Sequence, residues 1–194
     1  MTRRESACMA ERLSALAGNY PQGRIGAAGE VGVRLEDIKN LVLYQVGAWP
    51  ATLHDVGRAL AAHADAHTAP KPCSAIDGSK ATLLRVEPLK WWLLGLEPPE
   101  LDAEQGALLD LSHSRTRIRV SGPRAADLIN RHLPLDLRDA SFPQGSVASS
   151  AFHHVGVTVW RSSLGFEMFL PRGYAMSLWE MLLESAGQFG AEVV

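Results

Sequence analysis

The order of predicted secondary structure elements repeats along this chain. A strand, a helix and two further strands come first, and the same order follows again with a closing helix. Apolar residues at Leu53, Val56, Leu60 and Ala64 share one face of a predicted helix. Short runs rich in branched and aromatic residues, bounded by Gly and Pro, indicate the strands. The first unit is predicted as strand 41–46, helix 50–67 and strands 82–86 and 90–94, and the second as bent strand 107–120, helix 123–133, strands 152–161 and 166–170 and helix 173–188.

The two units can be aligned with one another at two prolines. Pro50 and Pro123 each stand where a strand gives way to a helix, and an arginine follows each of them eight residues later, at Arg58 and Arg131. Self-similar units of this kind stack to share a core. We therefore expect a duplicated fold.

The predicted fold class is α+β, with duplicated β-α-β-β units whose antiparallel or mixed sheet is covered by helices. With 194 residues the chain is long enough to bury a core without disulfides or metal. We expect residues 31–194 to form the domain, with pseudo-repeats at about 33–96 and 107–190. Residues 1–30 end in a Gly-rich run and are predicted to be a flexible segment, mobile or lying on a partner.

Charge and hydropathy exclude several classes of function. There are 19 Lys and Arg residues against 21 Asp and Glu, a formal net charge of -2, so the basic excess that holds a polyanion is lacking. Nucleic acid is therefore not an expected partner. No run approaches the roughly 20 apolar residues that span a bilayer, and Met1 to Asn19 have no signal-peptide pattern. Cys8 and Cys73 suit neither a disulfide scaffold nor a metal site, and a cytoplasmic location is expected.

Asp110, Ser112 and His113 together suggest a hydrolase triad, but their spacing argues against one. Side chains alternate along a strand, so Ser112 and His113 would point to opposite faces and could not form the hydrogen bond that activates a nucleophile. We expect these residues to fix a bend through side-chain bonds to the backbone. No catalytic residue is predicted.

The same alternation places His113, Arg115, Arg117 and Arg119 on one strand face. Because arginine binds carboxylates and phosphates through paired hydrogen bonds, this stripe could meet an acidic partner surface or an anionic ligand. A solvated face, or an edge protected against aggregation, is the other interpretation. We expect the three arginines to be replaceable without unfolding the chain.

The adjacent residues Trp91 and Trp92 would point to opposite faces of a strand, so at least one is expected to cover something beyond the near core. We take Trp91 as a candidate partner contact.

His63 and His67 supply only two of the four ligands that a structural zinc ion needs, and no metal site is predicted. Neither a dinucleotide fingerprint nor a P-loop occurs, so this chain alone is expected to bind no nucleotide cofactor.

The second half of the chain resembles a known family. Residues 108–116 read LLDLSHSRT and residues 120–129 read VSGPRAADLI, which is similar to the D-[LV]-S-H … V-x-G-P-x-A-x-x-L-L pattern of proteins built like the aminomethyltransferase of the glycine cleavage system. The chain looks more like the gamma subunits of heterotetrameric sarcosine oxidases. Further similarity lies at 135–137, 141–145, 154–160 and 165–180. The resemblance covers roughly residues 33–190 and is strongest from 107 onward.

The resemblance implies a function that the residues alone do not. Complexes of this family oxidatively demethylate sarcosine to glycine, with hydrogen peroxide and 5,10-methylenetetrahydrofolate formed. It implies alpha, beta and delta subunits as partners, and FAD, FMN, NAD and tetrahydrofolate bound by the larger subunits. The gamma chain would then be a small, non-catalytic subunit. A stand-alone module that binds folate itself is the alternative, and a free-standing hydrolase or metal protein is a more distant one.

Overall fold

Two β-sheets and three α-helices make up residues 13–18 and 20–194, the part of the chain that this computed structural model describes. The helices are α1 (Leu53–His63), α2 (Ala125–Asn130) and α3 (Ala175–Ala186), and short 3-10 turns flank α3. The strands are β1 (Gly23–Ile25), β2 (Val33–Ile38), β3 (Leu43–Ala48), β4 (Ser74–Asp77), β5 (Thr82–Glu87), β6 (Lys90–Leu94), β7 (Gly106–Asp110), β8 (Arg115–Ser121), β9 (Val147–Phe152), β10 (Val155–Ser162), β11 (Gly165–Pro171) and β12 (Ala191–Val193).

The two units of the sequence have the same strand order. The first unit forms the part β4-β5-β6-β3 of a five-stranded sheet, and β7, from the start of the second unit, completes that sheet beyond β3. The second unit forms the part β8-β11-β10-β9 of a seven-stranded sheet, which β2, β12 and β1 extend beyond β8. Each unit therefore contains four strands in the same spatial order, together with one helix. One strand in each unit, β4 or β9, was not predicted from the sequence. We propose that the units are pseudo-repeats within a domain of residues 31–194.

The helices and sheets form four layers. One face of the five-stranded sheet packs against α1 around Leu60, Leu83 and Trp91. Its other face packs against the seven-stranded sheet through a cluster that includes Trp92 and Phe169. The far face of the seven-stranded sheet carries α2 and α3. The predicted α+β class, with sheets covered by helices, is confirmed.

Residues 107–120 form two strands, whereas the sequence analysis predicted one bent strand. The chain turns at Leu111, whose carbonyl accepts hydrogen bonds from the amides of Ser114 and Arg115 at 3.0 and 3.1 Å. Ser112 holds this turn to β3, since its hydroxyl accepts from the Leu43 amide at 3.0 Å. The turn moves the chain from one sheet to the other, so β7 and β8 belong to different sheets.

The described part of the predicted leading segment is attached to the domain. Leu16 is fully buried in the cluster between the seven-stranded sheet and its helices. β1 pairs with β12 at the edge of that sheet. Residues 1–12 and Asn19 lie outside the described residues, and for residues 1–12 flexibility stays a prediction.

The strands predicted at 82–86, 90–94, 152–161 and 166–170 are confirmed as β5, β6, β10 and β11. They form the antiparallel pairs β5–β6 and β10–β11, with two-residue turns at Pro88–Leu89 and Ser163–Leu164. The helices are shorter than predicted, and α1 gives way to Asp65 in the left-handed region at φ 57°. Within the described residues, no helix is long and apolar enough to cross a membrane.

Replacing Gly122 by Val is expected to destabilise the corner between β8 and α2. Gly122 has φ +102°, and a Cβ atom there would lie 2.6 Å from the carbonyl oxygen of Gly32. Strain of this kind lowers the free energy of unfolding by roughly 1–3 kcal/mol, which urea denaturation measures. Gly156→Val is the matched control, because Gly156 lies in a strand with no heavy atom within 4 Å of an added Cβ. Equal stabilities of the two variants would show that the corner imposes no such constraint.

Candidate functional site

Strand β8 places the predicted arginine stripe on the side of the seven-stranded sheet that faces the other sheet. Arg115, Arg117 and Arg119 alternate with Thr116, Ile118 and Val120, which are buried on the side of α2 and α3. The predicted alternation is therefore confirmed for the three arginines, whereas the prediction that His113 shares their strand face is wrong. His113 lies before β8 in the turn and is exposed.

A buried carboxylate organises two of these arginines. Glu167 in β11 is fully buried. Its Oε2 accepts from Arg117 Nε at 2.8 Å and its Oε1 from Arg119 Nε at 2.6 Å. Ser162 Oγ donates to Oε1 at 3.1 Å, and Arg119 Nη1 also donates to Glu36 at 3.0 Å. We call these five residues the Glu167 network.

The Glu167 network borders the apolar layer between the two sheets. The guanidinium carbon of Arg117 lies 5.9 Å from the ring centroids of both Trp160 and Phe169. The two paired arginine side chains are only 15% and 17% exposed. Because a buried charge is tolerated only when it is paired and hydrogen bonded, Arg117 and Arg119 have a structural role here. The expectation that both could be replaced without unfolding does not fit these contacts.

Sequence reasoning missed Glu167 and Glu36. A signal was present, since a single glutamate stands inside the otherwise uncharged run GFEMFLP at 165–171. The pairing register, which the sequence does not show, sets Glu167 opposite Arg119 and sets Arg119 opposite Glu36. Opposite charges on directly paired residues stabilise adjacent strands.

Arg115 differs from its two neighbours on the stripe. Its Nη1 donates to the Ser114 carbonyl at a long 3.4 Å, and burial lowers the pKa of its guanidinium. Arg115 lines a cavity of about 150 Å³ together with Lys39, Arg117 and Arg172, and none of the described lining residues is acidic. Since one water takes up about 30 Å³ in the liquid, the cavity has room for a group the size of a carboxylate.

Trp91 and Trp92 are both core residues. Trp91 is 1% exposed and packs between the five-stranded sheet and α1, with the Arg85 guanidinium carbon 5.0 Å from its ring centroid. Trp92 lies on the opposite face and contacts Phe169, with ring centroids 5.4 Å apart. Both faces of β6 are covered by other layers, so burial contradicts the expectation that Trp91 contacts a partner.

Asp110 and Ser112 fix a turn through bonds to the backbone, as expected from the sequence, and His113 is exposed in that turn. The Asp110 carboxylate accepts from the Ser112 amide at 2.8 Å. The Ser112 hydroxyl bonds to the backbone of Leu43. Across residues 13–18 and 20–194, no group of three or more His, Cys, Asp or Glu residues is arranged to hold a metal ion.

The second half of the chain carries the match to a known family. The sequence profile described as the GCVT N-terminal domain matches residues 91–194, more than half of the chain. The chain belongs to this family. The match begins in β6 and includes β8, β11 and therefore Arg115, Arg117, Arg119 and Glu167.

Two similar proteins are both sarcosine oxidase gamma subunits. Sarcosine oxidase subunit gamma of Corynebacterium sp. (strain U-96) is 27% identical over 178 residues, which are 86% of this chain and 85% of that protein. Sarcosine oxidase subunit gamma of Corynebacterium sp. (strain P-1) is 27% identical over 95 residues, about half of either protein.

Solved structures show the same fold. The heterotetrameric sarcosine oxidase from Corynebacterium sp. U-96, in complex with pyrrole 2-carboxylate, contains a chain that matches with a TM-score of 0.70 and 22% identity over 84% of this chain and 88% of that one. The glycine cleavage system aminomethyltransferase T from Bartonella henselae matches with a TM-score of 0.56 and 20% identity. That match covers 84% of this chain but 48% of the aminomethyltransferase, so this chain corresponds to about half of that protein. The aminomethyltransferase-like fold expected from the resemblance is confirmed.

Replacing both Arg117 and Arg119 by Met is expected to lower the free energy of unfolding by about 3–5 kcal/mol, because Glu167 would remain buried without a cation. A triple variant that also carries Glu167→Met should recover most of this loss, since apolar residues can replace a buried ion group. Urea denaturation compares the variants.

Arg115→Met is the matched control for this comparison. Arg115 lies on the same strand face but forms no ion pair with Glu167. We expect its stability to stay within about 0.5 kcal/mol of the unmodified chain. A double Met variant as stable as Arg115→Met would contradict the structural role of the Glu167 network.

Proposed function

We propose that this chain is the gamma subunit of a heterotetrameric sarcosine oxidase. The proposal rests on one observation: sequence and fold both agree with a sarcosine oxidase gamma subunit over most of the length of both chains. The sequence match extends over 86% of this chain and 85% of the U-96 gamma subunit, and the fold match over 84% and 88%. The aminomethyltransferase is matched over only about half its length.

In the proposed complex, sarcosine is oxidatively demethylated to glycine, with hydrogen peroxide and 5,10-methylenetetrahydrofolate as the other products. Larger alpha and beta subunits and a delta subunit are the proposed partners, and they would hold FAD, FMN, NAD and tetrahydrofolate. The gamma chain would contribute contact surface, because the Glu167 network at its centre holds the strands of its own sheet together. Its described cysteine, Cys73, is exposed and free, which suits the cytoplasm as the proposed location.

We propose His113 and Arg115 as the part of the stripe that meets a partner subunit. Both lie at the same end of β8, where Lys39 and Arg172 also line the cavity beside Arg115. Among the described residues Arg115 has no carboxylate partner, and a half-buried guanidinium of this kind gains stability when an acidic group binds to it. A carboxylate side chain of a larger subunit is the proposed occupant. Arg117 and Arg119 are bonded to Glu167 and are therefore not proposed as direct contacts.

A stand-alone module that binds folate is the second candidate. Membership of the GCVT N-terminal domain family and the fold shared with aminomethyltransferase T favour it. The two candidates predict different behaviour of the isolated chain. A folate module binds tetrahydrofolate alone, whereas a gamma subunit needs the larger subunits to act.

Expression of the tagged chain together with the larger sarcosine oxidase subunits of the same organism tests the proposed function. We expect a complex that contains the chain in stoichiometric amount, absorbs as a flavoprotein and consumes oxygen when sarcosine is added. The chain expressed alone is the control and should show neither flavin absorbance nor oxygen uptake. A chain that stays monomeric beside those subunits and binds tetrahydrofolate in calorimetry would overturn the proposal in favour of the folate module.

Replacing Arg115 by Ser is expected to weaken assembly by roughly tenfold at low salt, and less at high salt, because ions screen a charge pair that remains partly open to solvent. Analytical ultracentrifugation of the co-expressed complex over a range of salt concentrations gives the affinity. Arg131→Ser is the matched control, since Arg131 is exposed on the outer side near α2 and bonds to Gln188. If Arg115→Ser and Arg131→Ser assemble alike at every salt concentration, Arg115 is not a partner contact.

A further inference from the structure

The five-stranded sheet has two edges, and only one of them is covered within the described part of the chain. At the β4 edge, the Ala75 amide donates to the Gly145 carbonyl at 2.7 Å, and the Val147 amide donates to the Cys73 carbonyl at 3.0 Å. The segment that leads into β9 therefore takes up the outer side of β4. At the opposite edge, residues 107–110 of β7 are all exposed.

Strand β7 presents both backbone groups and apolar side chains to solvent. Two hydrogen bonds mark the ends of its pairing with β3. The Trp49 amide donates to the Gln105 carbonyl, and the Leu111 amide donates to the Leu43 carbonyl. Backbone groups alternate in direction along an antiparallel strand, so those of Leu109 face β3 and those of Leu108 face outward. The side chains of Leu108 and Leu109 point to opposite faces and are 44% and 53% exposed.

This edge lacks the usual protection against strand pairing. β7 contains neither Lys nor Pro, and its single charge, Asp110, is at its last residue. Natural proteins protect exposed edges with such residues, and an open apolar edge pairs with another strand. The outward backbone groups of Leu108 and the two exposed leucines favour an extended segment as occupant.

The charge around β7 defines the chemistry of that segment. Residues 97–110 contain five acidic residues and no Lys or Arg; the acids are Glu97, Glu100, Asp102, Glu104 and Asp110. The exposed acids just before β7 would attract a basic segment. A second copy would bring the same acid-rich segment, residues 97–104, towards this edge, so electrostatics disfavours a dimer formed through it.

We propose that β7 is a docking edge that a partner subunit extends by one strand, through a segment of alternating apolar and basic residues. The inference rests on the proposed function, because it assigns the place where a larger subunit binds. Main-chain hydrogen bonds at Leu108 supply affinity, and the two exposed leucines with the neighbouring acids supply specificity.

Leu108→Pro tests this edge. Proline removes the outward amide of Leu108 without removing a hydrogen bond to β3, so the isolated chain should keep its stability in urea. In the co-expressed complex, we expect this variant to bind the larger subunits at least about tenfold more weakly. Leu108→Lys should act in the same direction, because it places a cation against a basic segment. Leu164→Lys is the matched control, since Leu164 is 61% exposed in the β10–β11 turn, and it should assemble normally.

Hydrogen exchange supplies a second measurement that does not depend on the variants. The Leu108 amide should exchange at least about tenfold more slowly in the complex than in the isolated chain. If the unmodified chain fails to assemble at all, the proposed function fails. If it assembles, but Leu108→Pro assembles equally well and the Leu108 amide stays unprotected, the docking edge alone is wrong. Self-association of the isolated chain that Leu108→Pro abolishes would identify a second copy as the occupant and would also overturn the inference.

Discussion

A buried carboxylate constrains the centre of this molecule more than any other single group. Glu167 is neutralised only because β8 places Arg117 and Arg119 beside it at 2.8 and 2.6 Å. A shift of one residue in the pairing of β8 and β11 would move Glu167 to the opposite face, against the apolar cluster under α2 and α3. The ion group thus fixes the register of the central strands, and the adjoining layers depend on that register.

The layered packing covers most of the surface of both sheets. Each unit contributes a sheet and a helix, and the sheets pack face to face, so both faces of each sheet are covered over most of their area. The β4 edge is closed by the chain that leads into β9. Among the described residues, two surfaces that remain open near the sheets are the cavity beside Arg115 and the outer side of β7, and both suit the proposed contacts between subunits.

Local sequence was sufficient for elements whose pattern is strong. The hairpins β5–β6 and β10–β11 and the apolar face of α1 were predictable from alternation, turn residues and helical spacing. The strands β4, β9 and β12 were not. β9 reads VASSAF, a short and partly polar segment whose strand structure comes from pairing with β10. The break between β7 and β8 was also missed, because the bonds that fix it involve Ser112 and the distant Leu43.

The sequence by itself determined the α+β class, the repeated order of elements, the alternation of the arginine stripe and the family resemblance, because each of these depends on residues that are close along the chain. Tertiary structure decided how those residues are used. Pairing of β8 with β11 brought Glu167 to two arginines of the stripe and left Arg115 beside a cavity. Packing of layers on both faces of β6 buried Trp91, since contacts between distant segments, and not local pattern, determine which face of a strand meets solvent.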